Sequence, residues 1–582
     1  MWIYGDTKKS ECVEAMCVEL AVRLRMIERQ APGLERHCAL VALFLKAAEL
    51  VQGLVDKDQA ISGCDRPSFE RDLGELLLRD LATLVVRSWW GAMVAPLIIP
   101  DRIPDLLARL RAQKIVEIKE AEGFAFYAVY PESYAEAAIA SGLSADTLVI
   151  GIRSIGASLS AMCASALGAR PPITLRPLGH PFDRRVAIAS ELSQKLLSYP
   201  LGDVAIVDEG PGLSGSSFCC VAEWLEDHGI DSERIHFFPS HKGGLGSKAG
   251  ERRKSRWSKS ARHVCDLDDL LLGPSGSSCR LARWVGQLVG PLVEPLEDIS
   301  AGNWRYKLGY DGSELPPTDP RLERRKFLAH TEDATWLVKF AGLGETGARK
   351  LARARLLADK GFIQPVMGLC HGFLVQRWCM GRPLQQQEVH CDRFIEHLGK
   401  YLTFRTLYLP KSHLPGAPLS TLCEMAAANV QETMGSRAAS RLKTRLDTAT
   451  LSIAAMQPID IDGRLHRWEW SLDAGENYLK ADALDHSTGH DLIGFQDVAW
   501  DLAGACVEFD FSRSETDALR LIVSRNCGRD VEAKLQTCLE PCYSAFQLGL
   551  WVSARSEAAA AEVPRLEETA SRYRCHLERY LT

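Results

Sequence analysis

The sequence predicts a multidomain protein of mixed α/β and α+β class: an N-terminal helical region, a doubly wound parallel-sheet domain and a bilobal C-terminal domain. Three observations carry this. A chain of 582 residues is too long for one core and implies about three domains. Between about 100 and 241, short apolar runs alternate with helical patterns, as in parallel strands joined by crossover helices. After 320 the order changes to a strand pair, a helix and two more strands, repeating none of the earlier pattern. The expected domains are 1–98, 99–292 and 293–582, the last with a small lobe at about 303–380 and a large lobe at about 381–582.

Residues 11–56 and 66–95 place Ala, Leu, Val, Glu and Arg at helical spacing, with a break at 62–67. They carry no nameable chemistry and are expected to pack, cover a site or contact another copy. Charged residues make up 25% and apolar ones 46%, an ordinary soluble balance. A net charge of −6 argues against a broadly basic nucleic-acid surface. Eighteen cysteines without a CxxC pair read as reduced thiols. The first residues hold no apolar signal core, and the most apolar window, 81–100, is broken by Arg87 and two prolines. A cytoplasmic location without a membrane partner is expected.

In the second region, 123–142 offers a strand and a helix, and 146–169 a strand, a small-residue turn and a helix. The most informative stretch is VAIVDEGPGLSGSSF, 204–218. Val204 to Val207 is a short apolar run that suits a buried parallel strand. Asp208 and Glu209 follow, then a Gly/Ser turn, then a helical pattern ending at Gly229. Unpaired N–H groups of such a loop and first helical turn attract an anion, and glycine lets the backbone come close. An ordinary glycine-rich turn would carry the same letters.

This stretch resembles the phosphoribosyl-pyrophosphate loop of type I phosphoribosyltransferases, with one extra residue between the acids and Ser214-Gly215-Ser216. The resemblance implies that Asp208 and Glu209 hold ribose hydroxyls. It implies that Gly212, Ser214, Gly215, Ser216 and Ser217 hold the 5′-phosphate. GIRSIG, 151–156, is similar to the family's pyrophosphate loop, which would make Arg153 and Ser154 ligand contacts. Between the two, Arg176, His180, Arg184 and Arg185 sit among Pro and Gly, where the family has a mobile flap; Arg184 would meet pyrophosphate. A solvated basic loop is the plainer reading there, as it is for the basic run 242–262.

In the third region, RRKFLAH and TWLVKFAG read as a hairpin with Lys339 on its second strand, followed by a helix at 344–361 and strands at PVMGLC and GFLVQRW. This order is similar to the small lobe of kinase-like phosphotransferases, whose strand lysine holds nucleotide phosphates, as Lys339 would. The family's helix acid would fall on Glu345. QDVAWDLAG, 496–504, resembles a signature of aminoglycoside-phosphotransferase-like kinases. By that likeness Asp497 and Asp501 brace loops, Asp485 binds Mg2+ and Asp462 is the catalytic acid. The family places His before that acid and Asn five residues after it, where this chain has Asp460 and Arg467. Asp482, Asp485, His486, His490 and Asp491 also crowd together, as another metal site or a hydrogen-bonded loop.

The expectation is a bifunctional protein. One domain would use phosphoribosyl pyrophosphate, and the other would use ATP with Mg2+ to phosphorylate an unnamed small molecule. The rival is a regulatory or defence protein whose two domains bind nucleotides without turnover.

Overall fold

The computed structural model describes residues 8–198, 202–273, 280–378, 381–409, 416–450, 456–485, 493–556 and 558–582, apart from the side chain of Ser313. Strand β1 (Lys8–Cys12) leads into helices α1 (Val13–Glu28), α2 (Leu34–Ser62), α3 (Phe69–Trp90) and α4 (Arg102–Leu110). Ser68 caps α3 by accepting the Arg71 amide, and Gly63 ends α2 in the left-handed region. Strand β2 (Ile115–Lys119) pairs antiparallel with β1, so a strand beyond residue 98 closes onto the first described residues. Among the described helices only α2 is long and apolar enough to cross a membrane, and 72% of its apolar window is buried inside the protein, as in a core helix.

The strand expected within 123–142 is absent. Helices α5 (Glu122–Ala125) and α6 (Pro131–Ala140) flank an irregular turn, and Phe124, Phe126 and Tyr130 are buried one by one. An aromatic run reads as a strand, but here no neighbouring strand offers it a ladder.

The parallel sheet follows. Its elements are β3 (Leu148–Ile152), α7 (Gly156–Leu167), β4 (Ile173–Leu175), the hairpin β5 (Leu178–His180) and β6 (Asp183–Arg185), and α8 (Ser190–Leu197). Then come β7 (Val204–Val207), α9 (Ser216–Asp227), β8 (Ile235–Phe238), α10 (Glu251–Lys259) and β9 (Ala261–Arg262). The strand order is β4-β3-β7-β8-β9, every pair parallel. All of β7 is buried: Ala205 and Val207 face the core that holds α7, and Val204 and Ile206 face the core under α9. The chain runs outward one way from β3 and the other way from β7. The carboxyl ends of those two strands therefore flank the point where such sheets leave a crevice.

Beyond α11 (Leu281–Val289), β10 (Glu297–Asp298) and α12 (Trp304–Lys307), an antiparallel sheet has the order β10-β11-β12-β14-β13. It uses β11 (Lys326–His330), β12 (Thr335–Phe340), β13 (Val366–Cys370) and β14 (Phe373–Arg377), with α13 (Gly344–Asp359) between the second and third of these. The hairpin, helix and strand pair stand where the sequence put them. A small sheet of β15 (Arg382–Pro383), β16 (Trp470–Leu472) and β17 (Tyr478–Lys480) joins a helical lobe. That lobe consists of α14 (Asp392–Tyr408), α15 (Leu419–Met434), α16 (Ser436–Thr450), α17 (Val498–Phe509), α18 (Arg513–Cys527), α19 (Ala533–Arg555) and α20 (Val563–Leu581).

One apolar core runs unbroken from α1–α4 through α7 and β7 into β11, β12 and β14; a second fills the helical lobe. The antiparallel sheet is thus seated on the N-terminal helices. Polar contacts reinforce the joint: Tyr130 donates its hydroxyl to the His371 carbonyl at 2.7 Å, and Arg349 pairs with Glu120 at 2.8 Å.

Candidate functional site

Two clefts share a wall. The larger, about 910 Å³, opens at the β3/β7 switch point and is lined by Ser154, Arg176, Arg184, Asp208, Glu209 and Ser217, among others. The smaller, about 190 Å³, lies between the antiparallel sheet and the helical lobe. Phe126, Tyr127 and Glu323 line both.

In the larger cleft the acid pair stands at the end of β7, half-buried. The Asp208 carboxylate accepts the Glu209 amide at 2.9 Å, and Tyr134 donates its hydroxyl to the Asp208 carbonyl at 2.8 Å. Burial pushes the Asp208 carboxyl up to about 7, against the pull of the Glu209 amide and Arg176. Gly123 makes room for the pair, since a Cβ there would stand 2.8 Å from the Glu209 carboxyl. Lys119 also lines the cleft, its ammonium pushed down by burial and by Arg176.

The Gly/Ser bend divides in two. Gly212 is exposed and Ser217 half-buried, and both line the cleft. Ser214 and Ser216, expected to meet phosphate, are turned away from it. Ser216 donates its hydroxyl to the Pro181 carbonyl at 2.7 Å, and Ser214 donates to the Ser216 hydroxyl at 3.0 Å. They tie the bend to the β5–β6 hairpin. The amide of Gly215 is spent on the Pro211 carbonyl at 3.0 Å, and its φ of +64° lets the chain enter α9.

Arg153 lines the cleft, but its fork is committed to the protein. Its guanidinium is buried and bonds Asp56 at 2.8 Å, Asp65 at 2.7 Å and the Thr174 carbonyl at 2.9 Å. It anchors the turn after β3 to α2, and Ser154 beside it lines the same cleft. Arg176 shares Asp56 at 2.9 Å, and Arg184 is held by the Gly179 carbonyl at 2.8 Å within the hairpin. Five cations of the basic run 242–262, Arg252, Arg253, Lys254, Arg256 and Lys259, lie in α10, and Arg253 is paired with Asp183 and Arg256 with Glu226.

In the smaller cleft, Lys339 rises from β12 and donates to Asp482 and Asp485, each at 2.6 Å. Those two carboxylates hold its ammonium protonated well above the usual range despite burial. Glu345, expected to meet Lys339, turns to Arg23 and Lys46 instead. The side chain that α13 sends inward is a second cation, Lys350, bonded to Asp485. Arg324 stands 3.9 Å from the same carboxylate. Asp485 was expected to bind a metal. One of its oxygens is taken by Lys350 and the other by Lys339, so this arrangement does not fit Mg2+.

Asp462, expected as the catalytic acid, does not reach the cleft. It is 2% exposed, bonded to Tyr401 and within 3.4 Å of Lys480 and 3.7 Å of Arg405. Its own amide and that of Gly463 donate to Asp501, which braces this loop. The loop instead presents Arg464, His466 and Glu469 to the cleft. Asp497 caps α17 by accepting the Ala499 amide. His486, His490 and Asp491 lie outside the described residues. Sequence reading also missed the aromatic lining by Trp304, Trp378, Trp468 and Trp551, which come from four separate segments.

No family model and no curated protein matches the chain. Among solved structures it is similar to choline kinase LicA from Streptococcus pneumoniae, at 16% identity over 43% of this chain and 89% of that one, TM-score 0.30. It is also similar to a choline/ethanolamine kinase family protein from Mesorhizobium loti, at 13% over 49% and 93%, TM-score 0.31. A third is a spectinomycin phosphotransferase solved with ADP and spectinomycin, at 12% over 49% and 93%, TM-score 0.33. These are phosphotransferases of small molecules, and each likeness spans just under half of this chain. At such scores the roles assigned below rest on this chain's own residues.

Proposed function

We propose that the larger cleft takes a ribose phosphate carrying pyrophosphate, phosphoribosyl pyrophosphate in the first instance, and transfers its ribosyl group to a small acceptor. The observation that supports this reading is a convergence at one strand switch point. Asp208 and Glu209 stand there with the Ser154 turn on one side and Gly212 and Ser217 on the other. Arg184, with one of its nitrogens on the Gly179 carbonyl, supplies donors for a pyrophosphate group, Arg176 adds positive charge beside it, and the bend supplies small residues for the 5′-phosphate. When the bond to pyrophosphate breaks, positive charge builds on the ribose ring, and the two carboxylates stabilise it. An acid pair beside basic side chains also suits a pyrophosphate that arrives with Mg2+, which would neutralise part of its charge.

Calorimetry with phosphoribosyl pyrophosphate and Mg2+ tests this on the wild type and on Asp208→Asn/Glu209→Gln. Micromolar binding that the double change abolishes supports the proposal; equal heats in both proteins overturn it. Release of pyrophosphate in the presence of a metabolite mixture would identify the acceptor class.

A second reading concerns the smaller cleft, where we infer nucleotide binding without phosphate transfer. Lys339 and the tryptophan lining suit a nucleotide's phosphate and base. Lysine ammonium groups occupy the oxygens of Asp485 that a kinase would give to magnesium. The acid of the kinase pattern, Asp462, is buried away from the cleft, and Arg467 stands five residues later in place of Asn. Burial of that acid withdraws the base an acceptor hydroxyl needs, which disfavours transfer. ATP binding that is lost in Lys339→Ala, needs no Mg2+ and yields no phosphorylated choline, ethanolamine or spectinomycin supports this reading. Turnover with any of these would restore the kinase assignment.

A further inference from the structure

Behind the part of the larger cleft that Tyr130 and Ser133 line, three segments meet at a buried cluster of His37, Glu132 and His371. His37 lies in the first turn of α2, Glu132 in the first turn of α6, and His371 at the tight turn between β13 and β14. The side chains of His37 and Glu132 are fully buried and that of His371 is 1% exposed. Nε2 of His37 lies 2.9 Å from Glu132 Oε1, and Nε2 of His371 lies 3.0 Å from the same oxygen. The outer nitrogens have their own partners: Nδ1 of His37 meets the Ser88 hydroxyl at 3.0 Å, and Nδ1 of His371 meets the Cys38 thiol at 3.5 Å. Oε2 of Glu132 is buried without a hydrogen-bond partner. Among the described residues, the two imidazoles are the only groups that form an ion pair with Glu132.

We propose that this cluster is a structural zinc site. Two imidazole nitrogens and both oxygens of one carboxylate make four N/O donor atoms of the kinds Zn2+ takes, and the burial of all three side chains leaves no position open to a substrate. The orphan Oε2 is the second observation that points to a cation, since a buried carboxylate oxygen without a partner is costly. Zinc at about 2.0 Å from each nitrogen would set the nitrogens and the near oxygen about 3.3 Å apart. The observed 2.9 and 3.0 Å need to open by only a few tenths of an ångström. The contacts at both Nδ1 atoms are the outer partners that orient metal-bound imidazoles.

The position of His371 adds to this. It carries φ +41° and is followed by Gly372 at φ +91°, a left-handed turn that admits His along with Asn, Asp and Gly. The turn sends its ring into the interior toward Glu132. A metal bound here would staple the N-terminal helices, the parallel-sheet region and the antiparallel sheet at one point.

The test uses the full chain without a histidine tag. Elemental analysis of the purified protein is expected to find about one zinc per chain, falling to background in Glu132→Gln and in His371→Gln. Protein produced in zinc-depleted medium with Co2+ is expected to show the visible d–d bands of a tetrahedral cobalt centre. Should either variant fail to fold, the cobalt spectrum of the wild type decides the question. Wild-type protein without bound metal and without cobalt bands would overturn the proposal and leave a hydrogen-bonded His–Glu–His joint.

Discussion

Replacing Lys350 by Met tests the charge arrangement around Asp485. Lys350 is 4% exposed, and burial pulls its ammonium down from the ordinary 10.5 to about 8. Attraction by Asp485 opposes that shift, and repulsion from Arg324 and Lys339 adds to it. Below pH 8 the folded and unfolded chains both hold this proton, so the cost of burying the charge is constant. Between pH 8 and 10.5 the folded chain releases it while the unfolded chain keeps it, so stability rises with pH. At about 1.4 kcal/mol per pH unit, the whole window is worth about 3 kcal/mol at most. Lys339 is held protonated, and its contribution fades only above 10.5, outside the window. Asp485 keeps Lys339 at 2.6 Å in the variant, so the carboxylate is not stranded.

Urea midpoints at pH 7, 8.5 and 10 should therefore rise for the wild type and stay level for Lys350→Met, with the variant no less stable at pH 7. Freed of one ammonium, an Asp485 oxygen becomes open to a divalent ion, so nucleotide affinity in the variant should gain a dependence on Mg2+. Parallel pH profiles for the two proteins would refute the reasoning.

Further outcomes can be checked on single variants. Gly151→Ala would set a Cβ 2.3 Å from the Gly156 carbonyl oxygen, a backbone contact that cannot yield, so a loss of about 1–3 kcal/mol is expected in denaturant melts. Gly215→Ala would place a side chain at φ +64° and 2.5 Å from Leu245, costing about 1–2 kcal/mol at the bend. Its main effect should be weaker binding of the sugar phosphate by calorimetry. Glu508 accepts Tyr543 and Tyr573 hydroxyls at 2.8 and 2.7 Å, and its carboxyl is drawn from 4.5 down to about 2, against burial, chiefly by His466. Its contribution is present above pH 4.5 and lost as pH falls toward 2, so Glu508→Gln should flatten the acid limb of the stability curve. It should also cost about 1.5–3 kcal/mol at pH 7.

What sequence makes legible here is whatever depends on neighbours in the chain. The run Val204 to Val207, the two acids and the glycines fixed strand, bend and helix, because a four-residue apolar run followed by Gly has few other solutions. The hairpin bearing Lys339 was legible for the same reason. The partners of these residues were not, because charge pairing is decided in three dimensions. Nothing near Arg153 announces Asp56 and Asp65, which lie on or just past the end of α2. Nothing near Asp485 announces Lys350, 135 positions away. Ser214 and Ser216 have the letters of a phosphate cradle, yet the hairpin turn at Pro181 captures the Ser216 hydroxyl, which in turn takes that of Ser214. The pairing of β1 with β2 escaped notice because two short edge strands separated by four helices carry no local signal.

The uninterrupted apolar core has a consequence for how this protein can be divided. Phe327, Val338, Phe340 and Phe373 of the antiparallel sheet share that core with Phe44, Leu77 and Val85 of the N-terminal helices. Scission near residue 293 would leave each fragment with a raw greasy flank facing water, an invitation to clump. Neither piece is free to be shuffled, expressed or discarded by itself, so the two clefts travel as one heritable unit.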